Sequence, residues 1–186
     1  MQATPSPIPG SLLISDPFLQ DPNFSRSVVL ICEHESTGSF GLVLNQPMHL
    51  TLGDLIPAAA DIQVPVFCGG PVGNDTLHFI HKRTDLLDDT IVLKDGIGWS
   101  GNIYEIIKHL KSGEMTEKDI VFFVGYSGWG EGQLMQELDA KTWIRSEVTL
   151  PLLFQINPEN KWQSALLQMG GEYANMANYP IDPQLN

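Results

Sequence analysis

Two short runs of continuous apolar residues limit the folds open to this chain more than any other feature. The first is Val28-Val29-Leu30-Ile31-Cys32 and the second Ile120-Val121-Phe122-Phe123-Val124. Successive side chains of a strand point to opposite faces, so a run apolar in both alternating sets must be covered on both sides. In the first run Val28, Leu30 and Cys32 form one set and Val29 and Ile31 the other. The β-branched and aromatic content favours strand over helix, and each run is far too short to cross a bilayer. A chain with two such strands needs a sheet with apolar layers on both faces.

The segments around these runs say how the layers are supplied. Residues 11–14 predict a short strand. Turn formers Asp16-Pro17 and Asp21-Pro22-Asn23 predict a loop before the first apolar run. Residues 39–44 predict a second strand, joined to the first as an antiparallel hairpin through Ser36-Thr37-Gly38. Thr51 with Asp54 three residues on has the spacing of a capped helix start, ending before Pro57. Residues 65–68 and 76–81 predict strands on either side of a turn at Gly69-Gly70-Pro71. Asn102 caps a helix whose residues Ile103, Ile106, Ile107 and Leu110 make one buried face and whose stop is Gly113. A glycine-rich turn, Gly125 to Gly130, follows the second apolar run, and a short helix is predicted over 133–138. Residues 150–156 predict a further strand. Asn157-Pro158 opens a last helix with an inner stripe of Trp162, Ala165, Leu166 and Met169, closed by Gly170-Gly171.

Helices and strands interleave, but the early strands adjoin through tight turns, which predicts a mixed-sheet α/β domain rather than a regular doubly wound fold. At 186 residues the chain has the length of one domain. The expected boundaries are an extended lead-in over 1–9 with three prolines, a domain over 10–171 and a loose tail over 172–186. The two cysteines, Cys32 and Cys68, and an N-terminus with neither a basic residue nor an apolar run predict a cytoplasmic protein with reduced thiols. Acids outnumber bases 22 to 10, for a net charge of -12. That balance disfavours direct binding to nucleic acid or to an anionic membrane.

Three stretches together carry a family resemblance: GSLLISDPFLQDPNFSRSVVLICEHESTGSFGLVLNQP from Gly10, CGGPV from Cys68, and GYSGWGEGQLMQEL from Gly125. In this combination the chain closely resembles the YqgE/AlgH family of small bacterial proteins, over about residues 10–162. The resemblance implies an α/β fold in which a bent mixed sheet forms a partial barrel flanked by helices. It also implies a cytosolic protein of a family carrying a transcriptional-regulator label without an established catalytic activity. Arg26, His34 and Asn45 are family-motif positions of unassigned role.

The chemistry-bearing residues converge on no complete catalytic constellation. The stretch after the second apolar strand is neither a P-loop nor a dinucleotide fingerprint, since the glycine spacing and the lysine are wrong. Ser127 sits in Gly-Tyr-Ser-Gly-Trp, one residue away from a nucleophile elbow, and would need a positioned histidine and acid. Cys32 lies in an apolar run, where burial raises a thiol pKa, so Cys68 beside Gly69 is the better-placed thiol. His78 and His81 are three apart on a strand and face opposite sides, poor geometry for a shared metal; no metal or cofactor is expected. The expected ligand site comprises Cys68, Gly69, Gly70 and Pro71 together with Gly125, Tyr126, Ser127, Gly128, Trp129 and Gly130. Both segments end apolar strands, glycine permits close approach, and Tyr126 and Trp129 offer aromatic surface with a polar handle. The same glycines also fit a purely architectural role, with Trp129 filling the core. The function expected is a non-enzymatic regulatory or adaptor domain binding an unidentified protein or small molecule. The alternative is a small hydrolase or ligand-processing enzyme built on the two glycine segments.

Overall fold

A computed structural model describes residues 6–180. Ten strands form a mixed sheet with six α-helices around it among the described residues. The strands are β1 (Ser11–Ser15), β2 (Val28–Glu35), β3 (Gly38–Val43), β4 (Pro47–Thr51), β5 (Pro65–Cys68), β6 (Val72–His81), β7 (Ile91–Val92), β8 (Gly98–Trp99), β9 (Ile120–Gly130) and β10 (Trp143–Glu147). The helices are α1 (Leu52–Leu55), α2 (Ile103–Ser112), α3 (Gln133–Asp139), α4 (Leu150–Phe154), α5 (Pro158–Met169) and α6 (Gly171–Met176). The main path runs β10-β1-β2-β3-β9-β6-β8-β7 and does not close into a barrel. Every pairing is antiparallel except that of β5 with β9, which makes the sheet mixed.

The two apolar runs lie in this one sheet, separated by β3. The alternation in β2 sorts its residues as the sequence predicts. Val28, Leu30 and Cys32 join Leu152, Trp162 and Leu166 under the C-terminal helices. Val29 and Ile31 join Leu134, Leu138 and Trp143 on the opposite face. In β9, Ile120 and Phe122 pack with Leu52, Ile106 and Ile107 of α1 and α2, while Phe123 belongs to the Trp162 side. The predicted caps hold: the Asp54 carboxylate accepts from Thr51 N, the Asn102 side chain accepts from Tyr104 N, and Gly113 ends α2 in the left-handed region.

Three local expectations fail. Residues 125–130 are not a turn but the second half of β9. The edge of β3 pairs with them and overrides the weak strand propensity of glycine. Residues 150–154 are helical rather than extended. The Thr149 hydroxyl accepts from Leu152 N and Pro151 lies in the first turn, where its missing N–H costs nothing. The amine of Lys161 donates to the carbonyls of Leu152 and Leu153 at the end of that helix, and burial pulls its pKa down to about 8. Finally, residues 172–176 of the expected tail belong to helix α6, which packs on α5. Residues 1–5 of the lead-in and 181–186 of the tail lie outside the described residues. Strand β10, which no pattern announces, pairs with β1 over five residues.

His81 is fully buried against Gly98, and its Nδ1 has no hydrogen-bond partner among the described residues. Burial lowers its pKa below 6.5, against opposing contributions from the Ser100 carbonyl and Asp85. A base with a lowered folded-state pKa contributes stability that is complete above its ordinary pKa and is lost as pH falls toward the folded value. Urea denaturation is therefore expected to show the stability of the wild type falling relative to that of His81→Phe between pH 7 and pH 5.5. Equal slopes in the two proteins would contradict this.

Candidate functional site

The expected site segments do meet, and the pairing pattern says why. β5 and β6 both pair with residues 122–124 of β9, so they occupy its opposite edges. The connection Gly69-Gly70-Pro71 must then cross β9, and it crosses at Gly125. A Cβ on Gly69 would lie 2.2 Å from Gly125 O, and one on Gly70 2.3 Å from Tyr126 O. Gly125 itself has φ +71, and a Cβ there would lie 2.8 Å from both Gly70 O and Val72 O. Gly69 also joins the strands: its N–H donates to Val124 O at 2.9 Å and its carbonyl accepts from Val43 N at 2.9 Å. At this point β9 exchanges β5 for β3 along one edge. These three glycines are required by the crossing itself.

Beyond the crossing, β9 alternates. Ser127 and Trp129 are buried, while Gly128 and Gly130 are exposed and Tyr126 is half-buried. Ser127 Oγ donates to Gly69 O at 3.2 Å. Among the described residues no histidine hydrogen-bonds to Ser127 or Cys68; the Cys68 thiol donates to Gly70 O at 3.5 Å. The elbow-like arrangement is thus a structural hydroxyl tying the crossing together. Trp129 is 6 % exposed and packs with Phe24 and Trp143. Its Nε1 and that of Trp143 both donate to Glu137 Oε2, at 2.9 and 2.8 Å. Trp129 is a core residue rather than the aromatic surface of a site.

The opposite face of the same strands is open. The pairs Glu33↔Phe40, Glu35↔Gly38, Gly38↔Gly130 and Phe40↔Gly128 place these residues on one face of β2, β3 and β9. There they line a groove of about 410 Å³, with Glu33 and Glu35 at one side and Phe40, Val72 and Tyr126 at the other. Phe40 and Tyr126 stack with ring centroids 4.7 Å apart, and His78 packs edge-on to both. Burial there lowers the pKa of His78, favouring the neutral ring. Sequence reasoning missed Glu33, Glu35 and Phe40. Their signal was the two-residue period of the β2–β3 hairpin, once its register is known.

The family-motif positions make contacts that tie neighbouring segments together. Asn45 accepts from Val28 N and donates to Arg26 O, clamping the turn into β2, where Arg26 has φ 49. The Arg26 guanidinium lies 4.5 Å from the Trp162 ring and donates to Tyr179 O. His34 bonds Ser39 Oγ across the hairpin at 2.7 Å and Ser6 Oγ, from the segment before β1, at 2.9 Å. Burial and the neighbouring Glu33 push the Cys32 thiol well above its ordinary pKa. Among the described residues no group of three or more His, Cys, Asp or Glu could hold a metal ion, and no helix is long and apolar enough to cross a membrane.

The AlgH-like family profile matches residues 12–174. The chain belongs to the AlgH-like family. Its similarity extends to proteins named UPF0301. One from Cytophaga hutchinsonii is 40 % identical over 178 residues, covering 95 % of this chain and 98 % of the relative. One from Chlorobium limicola is also 40 % identical over 178 residues, covering 96 % and 95 %. The solution structure of the AlgH protein from Pseudomonas aeruginosa superposes with a TM-score of 0.73 at 27 % identity, over 97 % of this chain and 98 % of that one. A crystal structure from Corynebacterium diphtheriae superposes at 0.79 with 20 % identity, over 96 % and 95 %, and shows the shared fold. Membership of the AlgH-like family confirms the resemblance drawn from the three sequence stretches.

Proposed function

We propose that this AlgH-like protein is a cytoplasmic, non-enzymatic regulatory or adaptor domain that engages a protein partner through the open face of β2, β3 and β9. The observation that carries this reading is the bare stretch of β9 at Gly128 and Gly130. Interior glycine weakens a strand, and where neither packing nor backbone requires it, it marks a place where another group approaches. A Cβ on Gly128 would meet nothing closer than the Tyr126 ring at 3.4 Å, and one on Gly130 only Gln133 Oε1 at 3.9 Å. Both are ordinary contacts, unlike those at the crossing. The transcriptional-regulator label then means indirect action through that partner, consistent with the net charge of -12. Duplex DNA titrated at physiological salt is expected to show no salt-sensitive binding; submicromolar, salt-sensitive affinity would overturn this part of the reading.

The adaptor role is tested with the full chain as bait and Gly128→Trp as its control. A protein retained from a bacterial lysate by the wild type and lost from the variant is then purified, and its binding measured directly. Partners that bind both forms equally would refute the assignment to this face. Substrate turnover by the purified chain that Gly128→Trp abolishes would instead establish an enzyme.

A further inference from the structure

We propose that the groove over Gly38, Gly128 and Gly130 takes an arginine side chain from an extended segment of the protein partner. The inference rests on the adaptor reading above and names the chemistry of its contact. Three rows of side chains on one sheet face define that chemistry. The β2 row is acidic: Glu33 and Glu35 are two residues apart on the same face, both are exposed, and neither forms an ion pair among the described residues. In the middle and far rows Gly38, Gly128 and Gly130 leave the floor bare beside Phe40 and Tyr126, and Phe40 lies directly opposite Glu33. Phe40 and Tyr126 close one end, with Val72, 41 % exposed, beside them.

No lysine, arginine or histidine lines the groove. A cation entering it therefore meets two carboxylates and no repelling charge. Guanidinium fits better than ammonium on two counts. Its planar fork can bond a carboxylate through two N–H groups, and its flat face can lie against the Tyr126 ring while the aliphatic stem covers the glycine floor. A peptide source suits the site because the groove is an open surface over strands β2, β3 and β9, on which an extended chain can lie. A strongly acidic protein also attracts a basic segment at long range, raising its association rate.

The test is a titration of the full-length, nitrogen-15-labelled chain, followed by amide chemical shifts. The probe is the peptide Ac-Ala-Arg-Ala-Arg-Ala-NH2, compared with the same peptide carrying citrulline, which keeps the shape and loses the charge. The expected result is saturable shifts at residues 33–40 and 126–130 with the arginine peptide only. Glu33→Gln combined with Glu35→Gln should weaken the binding about tenfold, within the range for two exposed ion pairs. Gly128→Val should block it while the remaining amide spectrum stays folded. Equal shifts with citrulline, or shifts elsewhere on the molecule, would overturn the proposal. Equal saturation of the groove by free spermidine would also overturn it, by showing a small-amine site. If a purified partner binds the wild type and not Gly128→Trp, yet the arginine peptide leaves the groove amides unmoved, the arginine proposal fails and the adaptor reading survives.

Discussion

Gly69→Ala is expected to leave no folded protein, whereas Gly128→Ala in the same glycine-rich neighbourhood is expected to stay within about 1 kcal/mol of the wild type. The difference follows from what a Cβ meets. At Gly69 it would sit 2.2 Å from a backbone carbonyl, that of Gly125, and 3.1 Å from Leu42. Neither the carbonyl nor the crossing can move away, because Gly69 is hydrogen-bonded to both Val124 and Val43 and accepts from Ser127. Relief of the clash would break the junction between β5, β3 and β9, a loss beyond the ~4–5 kcal/mol that marks exceptional single substitutions. At Gly128 the added methyl meets only the Tyr126 ring at ordinary distance. Alanine there also restricts the unfolded chain, a small gain. Circular dichroism and urea denaturation of the two variants decide the matter. A stable Gly69→Ala protein would show that the crossing is looser than described.

Trp129→Ala is expected to destabilise the fold by about 3–5 kcal/mol. For a chain of this length that corresponds to a fall in Tm of about 6–20 °C. Three contributions add: the lost apolar volume beside Val29, Ile31 and Leu134, the aromatic contacts with Phe24 and Trp143, and the bond to Glu137. Trp143 still donates to the same Glu137 oxygen, so that carboxylate keeps one partner. Trp129→Phe retains most of the packing and should lose less than half as much. Trp129 borders the groove, but its ring packs with Val29, Ile31, Leu134, Phe24 and Trp143, so binding of the arginine peptide to Trp129→Ala, measured well below its Tm, should persist. Unchanged stability with abolished binding would reverse the assignment and make Trp129 a contact residue.

The contrast between Trp129 and Tyr126 shows what was legible in the sequence. Both read equally well as aromatic site residues, because the segment 125–130 reads as a turn, and a turn assigns no faces. As a strand, it does: every second residue is buried, and Trp129 falls on the core side with Ser127. The strand pairing comes from β3, whose residues 38–41 lie opposite 127–130. Nothing within the segment announces that partner. The same holds for Glu33 and Phe40, which share a face only because the β2–β3 register, shifted between Ile31 and Glu33, brings them opposite one another.

The sequence by itself determined the elements whose cause is local. Continuous apolar runs required β2 and β9 to be covered on both faces, and side-chain caps at Thr51 and Asn102 placed α1 and α2. The three long motif stretches were enough to identify the family. Only the tertiary structure decided what the glycines are for. Gly69 and Ser127, 58 residues apart in the chain, meet because β5 and β6 hold opposite edges of β9 and the connection between them has to cross it. Steric exclusion at that crossing requires Gly69, Gly70 and Gly125. No comparable contact constrains Gly128 and Gly130, so these two leave the face of the sheet open. In the sequence all five are the same residue, and only the atoms that a Cβ would meet distinguish them.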